Sequence, residues 1–351
     1  MSIGTKIIGV GSYVPERLVS NDDALAMLRE QSRPFLSPAD LDTVLAKARY
    51  KIAKAGNATR YWCRDDEYGP EIARHAAQRA LADAGLDARD LDLIIYTGMS
   101  KAFVEPATGH VLRQELRALN ANVIDTQDAC ASFIKSLDIA DSLIKTGKYR
   151  TILVAAGERT FDWADFACRT VDDLAWKFGS LTIGDAAGAL IVQRTEDPLY
   201  AENPRHMRCF HRLADGEYEV CSIGLNYSFG ERYRLRSHSS RLVRLGLQLV
   251  MEMLADILQQ DEWRGIRYDN LFIHDIGRVI DDMVLPFVRE AKVCVPEAYA
   301  SYYPKYGNVA SASLPLSLDL AKRRGALTRG NLAVFVCPAA GVQAGALVFV
   351  Y

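Results

Sequence analysis

The sequence predicts an α/β protein built from two similar halves. Three observations carry that prediction: a helix followed by a buried-type strand occurs twice, the copies lie at a nearly constant offset, and the strand runs are continuously apolar rather than alternating. At 351 residues the chain is too long for one simple core. With 49% apolar and 25% charged residues, 24 Gly and 12 Pro, it has the make-up of a folded globular protein, not of a disordered, collagen-like or coiled-coil one. The 42 basic and 44 acidic residues leave a net charge of −2, so no overall field draws nucleic acid or an anionic membrane to the molecule.

Taken in order, the opening MSIGTKIIGVGSYVPE has too short an apolar run for a secretory signal and reaches a turn by Pro15. GVGSY (9–13) lacks the helix that a dinucleotide-binding fingerprint needs, so a Rossmann site is not expected. An amphipathic helix opens at Pro70, sets Ala73, Ala76, Ala77, Ala80 and Leu81 on one face and stops at Gly85, and the strand LDLIIYTG (91–98) follows. In the second half a helix sets Val243, Leu247, Val250, Met251, Leu254 and Leu258 on one face, followed by NLFIHDIG (270–277). Ser136 aligns with Ser317, 181 residues on, and Ile94 with Phe272, 178 on. Residues 1–195 and 196–351 are therefore read as two halves, each running strand, helix, strand, helix, strand around a parallel sheet and each burying the other's apolar face. Residues 332–351 carry no charge over a membrane-spanning length, yet Pro338, Gly341, Gln343 and Gly345 divide them into two short strands joined by a Gly-rich turn. No membrane span is expected.

The seven cysteines, Cys63, Cys130, Cys168, Cys209, Cys221, Cys294 and Cys337, are odd in number, scattered and free of CxxC pairs. Neither a disulfide framework nor a metal site is expected, and reduced thiols in a cytoplasmic protein are. In DTQDACASFIKSLDIADSLIK (125–145), Asp125 or Asp128 is placed to cap a helix with Cys130 in its first turn, where free N–H groups and the helix dipole favour thiolate. The other reading of Cys130 is a small buried free thiol. His274 ends a buried strand, where α/β sheets present functional groups to a crevice, although such a histidine also serves as a hydrogen-bonded core residue. Asn308, in YGNVASASLPLSLDLA, starts the second-half counterpart of the cysteine helix, and its bland role is a turn or cap. The three lie at equivalent ends of the repeat and are expected to converge between the halves.

These residues resemble the thiolase-like condensing enzymes, and β-ketoacyl-acyl-carrier-protein synthase III most of all. The likeness spans nearly the whole chain: GVGSYVPERLVSNDD (9–23), DACASF, LTIGDAAGALIV (181–192) and, most specifically, YGNVASASLPLSL. It implies a five-layered αβαβα fold, a homodimer, acyl-CoA and acyl carrier protein as partners, coenzyme A thioesters as substrates and no tightly bound cofactor. By the same resemblance, Cys130 is the acyl-accepting nucleophile, His274 and Asn308 donate to the carbonyl of the second thioester, and the N–H groups of Cys130 and Gly341 form an oxyanion hole. Tyr50 and Lys54 occupy the positions that hold the coenzyme A adenine, and Arg278 follows the histidine motif. That motif departs from the family's His-Gln-Ala-Asn, reading His-Asp-Ile-Gly (274–277) with Arg278 one residue early, which puts an acidic Asp275 beside the site. The C-terminal turn also departs, reading CPAAG (337–341).

Glu105, in KAFVEPATGH (101–110), stands where a partner subunit inserts a residue into the acyl pocket. The resemblance to long-chain head-to-head condensing enzymes implies a general base there; a plain loop carboxylate is the alternative. Arg232, Arg234, Arg236, Arg241 and Arg244 form a basic run suited to an acidic carrier protein or to a solvated helix approach. The expected activity is condensation of an acyl group on Cys130 with a malonyl or other acyl thioester. The alternatives are transfer of that acyl group to an alcohol or amine, condensation without decarboxylation using Glu105, and a catalytically silent partner subunit. A Cys/His/Asn hydrolase of the papain type lacks the duplication.

Overall fold

The run Leu93–Thr97 is buried at every position because it is an interior strand covered on both faces: Leu93 and Ile95 point one way, Ile94 and Tyr96 the other. It belongs to a five-stranded sheet ordered Gly4–Tyr13, Ala186–Thr195, Thr151–Glu158, Leu93–Thr97 and Asn122–Thr126 in the computed structural model, which describes residues 2–224, 233–291 and 299–351. Cys294 and Arg232 lie outside the described residues.

A second sheet runs Arg208–Leu213, Gln343–Val350, Leu332–Ala339 and Asn270–Ile273. In each sheet the strand after the helix pairs in parallel with the next one: Leu93–Thr97 with Thr151–Glu158, and Asn270–Ile273 with Leu332–Ala339. The first sheet adds a second parallel pairing, Leu93–Thr97 with Asn122–Thr126, and the two other pairings in each sheet are antiparallel. The expected parallel sheet is thus corrected to two mixed sheets whose shared strands follow a matching order. In the second sheet a short connection explains the antiparallel step: Ala339 and Gln343 form the ends of a tight hairpin, and only antiparallel strands can be joined so closely.

Five layers follow from three apolar clusters. The helix Gly69–Ala84 covers the outer face of the first sheet through Ile72, Ala73, Ala76, Ala77 and Ala80. Gly9 and Gly11 let it come so close that an added Cβ would stand 2.2 Å from the Ala80 carbonyl oxygen and 2.3 Å from that of Ala76. The glycines of GVGSY therefore serve helix packing. The helices Ser132–Lys145 and Ser313–Arg323 form the middle layer, sharing one core with Ile95, Val154 and Leu190 of the first sheet and Phe272, Phe335 and Phe349 of the second. The helix Ser239–Gln259 and the turns of Ile280–Glu290 close the far face on Val334, Val336, Ala346 and Val348. Within 332–351, the uncharged run is the hairpin of buried strands that its glycines and proline predict. No helix among the described residues is long and apolar enough to cross a membrane.

A fourth cluster joins the helices Asn21–Ser32 and Pro38–Ala55 to Trp62, Phe166 and Ile183 at the end of the sheets where His274 lies. Leu137→Ala, in the middle of the central layer, is expected to lower unfolding free energy by about 2–5 kcal/mol in a urea titration. Tyr50→Ala, on the exposed face of Pro38–Ala55, is expected to stay within about 0.5 kcal/mol.

Candidate active site

Cys130 does not lie in the first turn of a helix. The helix begins at Ser132 with Ala131 as its N-cap, and neither expected aspartate caps it. Asp125 is the penultimate residue of an edge strand, where its carboxylate accepts from the Thr108 and Gly109 N–H groups at 2.8 and 2.9 Å. Asp128 pairs with Lys135 and accepts from Gln343 Nε2 at 2.8 Å. What presents Cys130 is a bend: Ala129 holds φ 47°, a left-handed conformation that costs a non-glycine residue roughly 1–3 kcal/mol. Ala310, 181 residues later, holds φ 49°. The repeat therefore carries one strained elbow in each half, at the start of each central helix.

Cys130 is half-buried as a residue, and burial pushes its thiol pKa up, with further upward pushes from Cys221 and Glu158. The thiolate expected from a helix dipole is corrected to a neutral thiol. Removing its N-terminal-turn position removes the dipole's benefit, and the surroundings add negative rather than positive neighbours.

His274 follows directly on the strand Asn270–Ile273, and its N–H donates to the Val336 carbonyl at 2.8 Å. The side chain is 1% exposed, and burial pushes its pKa down to about 4, so the ring is neutral at physiological pH. Its Nδ1 is hydrogen-bonded to Ser313 Oγ at 2.9 Å, which leaves Nε2 as the ring nitrogen not engaged by Ser313. Asn308 is set by two backbone bonds, its N–H to the Thr182 carbonyl and its carbonyl from the Gly184 N–H, both 2.9 Å. Its side-chain Oδ1 accepts from the Ala310 N–H at 2.9 Å, which fixes the amide so that the NH2 is its donor on the other side. Ser313, five residues past Asn308, thus ties the histidine to the asparagine segment. Cys130 packs on the same core as Val309, Ala312, Phe272 and Cys337, the neighbours of Asn308, His274 and the C-terminal turn.

Gly341 lies in that turn at φ 112°, and Gln343 bonds both the Ala340 carbonyl at 3.1 Å and Asp128, joining the turn to the cysteine loop. Asp275 is not a charge at the site. It is fully buried beneath the histidine loop, accepting from Ser301 Oγ, from the Gly277 N–H at 3.0 Å and from the Tyr303 N–H at 3.3 Å, and burial raises its pKa. Arg278 drapes over Gly56, the C-cap of Pro38–Ala55, and its N–H donates to the Ala55 carbonyl at 3.0 Å. That contact puts it at the end of the helix carrying Tyr50 and Lys54, both exposed. Glu105 is exposed on a loop with Phe103 and Val104.

The basic run is largely engaged in the fold: Arg234 donates to the Ala164 carbonyl, Arg236 stacks 4.4 Å over Trp176, and Arg241 pairs with Glu217. Sequence spacing missed Ser313, whose partner His274 is 39 residues away in the same half, and Gln343 and Glu158, which bond to Asp128 and Ser311 of the other half. It also missed one trio, Asp138, Cys209 and His211, whose ligand atoms lie within 4.8 Å of one another because a helix and an edge strand bring them together. Lys135 bears on that trio and helps depress the histidine's pKa.

Family comparison agrees with the geometry. Residues 124–204 match the 3-oxoacyl-[acyl-carrier-protein] synthase III model and residues 267–351 its C-terminal counterpart. The chain is 28% identical over 344 residues to the β-ketoacyl-[acyl-carrier-protein] synthase III of Rickettsia akari (strain Hartford), covering 97% of each. It is 27% identical to that of Aquifex aeolicus (strain VF5), covering 99% of this chain and all of that one. The solved Aquifex aeolicus enzyme superposes with a TM-score of 0.76 at 25% identity over 99% of this chain and 100% of that one. OleA of Xanthomonas campestris, solved with lauric acid and lauroyl-CoA bound, superposes at 0.83 over 100% and 99% of the two chains; at 21% identity that likeness concerns the fold alone. The fold and these matches define a thiolase-like condensing enzyme. Within that class the chain resembles β-ketoacyl-[acyl-carrier-protein] synthase III, a condensing enzyme of the acyltransferase type.

Because folding lowers the His274 pKa from its usual 6.5 to about 4, the unfolded chain binds the extra proton between those values, and stability is lost as pH falls through that window. Denaturation at pH 7 and pH 5 is expected to show a steeper decline for the wild type than for His274→Asn. The histidine's share reaches on the order of 3 kcal/mol at its lower limit.

Proposed function

We propose that Cys130 takes an acyl group from an acyl-CoA or acyl-carrier-protein thioester and that the acyl-enzyme then condenses with a malonyl thioester to give a 3-oxoacyl product. The observation that carries this reading is the orientation of two neutral side chains: His274, with Nδ1 held by Ser313, and Asn308, with Oδ1 held by Ala310, each retain one nitrogen for a second thioester. In the first step Sγ attacks the thioester carbonyl, the oxyanion is met by the N–H groups of Cys130 and Gly341, and the departing thiolate leaves as thiol with the cysteine's proton. In the second step malonyl thioester loses carbon dioxide, the enolate oxygen accepts from His274 Nε2 and Asn308 Nδ2, and its α-carbon attacks the acyl carbonyl. Cys130 is released and reprotonated. A thiol that stays protonated at rest suits this order, because the sulfur is a leaving group as well as a nucleophile.

The halves 1–195 and 196–351 each supply one elbow in this reading, and the protein works in the cytoplasm as a homodimer. Tyr50, Lys54 and Arg278 flank the mouth and receive the coenzyme A nucleotide. The exposure of Glu105 together with Phe103 and Val104 supports a second reading for non-malonyl substrates, in which the loop enters a second copy and Glu105 takes the α-proton.

Intact-protein mass spectrometry with acyl-CoA donors is expected to show one acyl group on the wild type and none on Cys130→Ala. Malonyl thioester then discharges it with loss of carbon dioxide; a wild type that never acylates excludes the proposal. Glu105→Ala is expected to abolish condensation of two non-malonyl thioesters while leaving the malonyl reaction in place. Unchanged non-malonyl turnover removes the base role.

A further inference from the structure

Glu158 ends the strand Thr151–Glu158 and is 0% exposed. Among the described residues no salt bridge satisfies its carboxylate, and its hydrogen-bond partners are neutral donors. Oε1 and Oε2 accept from the Met99 N–H at 3.1 and 3.2 Å, Oε2 accepts from the Ser100 N–H at 3.0 Å, and Ser311 Oγ donates to Oε1. Burying a carboxylate without a cation is costly, and several strong donors are what make it tolerable.

The identity of those donors is what matters. Met99 and Ser100 open the segment that leads to Glu105, and the Ser100 hydroxyl in turn accepts from the Arg159 N–H at 2.8 Å. Ser311 follows Ala310 in the left-handed elbow of the second half and lies 181 residues after Cys130, the repeat offset. Ser311 therefore occupies the second half's counterpart of the cysteine, and its hydroxyl is spent on Glu158. Gly98 completes the junction, since a Cβ there would stand 2.4 Å from Glu158 Oε1 and 2.6 Å from Ser311 Oγ.

Resting on the condensing reading above, we propose that Glu158 is a positioning residue that clips the Glu105 loop to the Asn308 elbow, so that the groups acting on the second thioester are held in register with the acyl-cysteine. It touches no substrate. The hydrogen bonds of the clip run to the Glu105 loop and the Asn308 elbow, while the Cys130 loop is fixed separately through Asp128, Lys135 and Gln343; Glu158 bears on the thiol through its charge alone, which holds the thiol protonated and which Ser311→Ala leaves in place. Loss of the clip consequently falls on condensation and spares acylation.

The test compares the two half-reactions in wild type, Glu158→Gln, Ser311→Ala and the double variant, with acylation read by intact mass and condensation by product formation from preformed acyl-enzyme. Glu158→Gln keeps the shape but gives up one accepting oxygen, and Ser311→Ala removes only the hydroxyl, so one of the two variants remains informative should the other fail to fold. The expected result is a condensation rate constant reduced on the order of 10- to 100-fold with acylation within about threefold of wild type, and a double variant no worse than Glu158→Gln. Equal losses in both half-reactions, full condensation in either variant, or additive effects overturn the clip. A wild type that never acylates is a failure of the condensing reading instead, and the two failures are thereby told apart.

Discussion

Two central helices packed between the sheets set the rest of the structure. Ser313–Arg323 is buried along most of its length, and Ser132–Lys145 buries Phe133, Ile134, Leu137, Ala140 and Ile144 in the same core while Ile139, Ser142 and Lys145 face outward. Neither half can bury its own helix alone, which makes the pairing of halves a requirement of the core and not an embellishment of it. The segments just before these helices, Ala129–Cys130 and Asn308–Ala310, and the end of the strand that precedes His274 border the same core, and the proposed site draws one residue from each.

The electrostatic character of that spot follows from the same burial. A sealed interior penalises standing charge, so the thiol stays protonated and the imidazole stays neutral, while Glu158 and Asp275 are each surrounded by hydrogen-bond donors. Neutral donors with fixed orientation are well matched to a reaction whose charge appears transiently on a thioester oxygen, since they gain strength only as it develops. Strain at Ala129 and Ala310 has the same logic: the backbone is held in an unfavourable conformation because close packing on both sides allows no other.

Much of this was legible in the order of residues. The duplication, the helix from Pro70 to Gly85 and the hairpin hidden in 332–351 are properties of periodicity and local motif, which a linear chain records. Strand direction was not legible, because a buried apolar run reads the same in parallel and antiparallel pairing. The caps misassigned to Asp125 and Asp128 failed for a related reason: both carboxylates prefer partners distant in sequence, the helix at Gly109 and the side chain of Gln343, over the N–H groups nearest to them. Asp275 looked like a functional departure and proved to be an anchor for 299–303, a distinction that depends on what packs behind the histidine loop and leaves no trace in the motif itself.

The central claim is that a thiol, an imidazole and a carboxamide act on one pair of thioesters between the halves. The most direct measurement is a crystal structure of the Cys130 acyl-enzyme with a non-reactive malonyl-CoA analogue. The account predicts the analogue's carbonyl oxygen about 3 Å from both His274 Nε2 and Asn308 Nδ2, with its α-carbon facing the acyl carbonyl on Sγ. An analogue bound with its carbonyl away from both nitrogens, or an acyl group carried by a different residue, would contradict it.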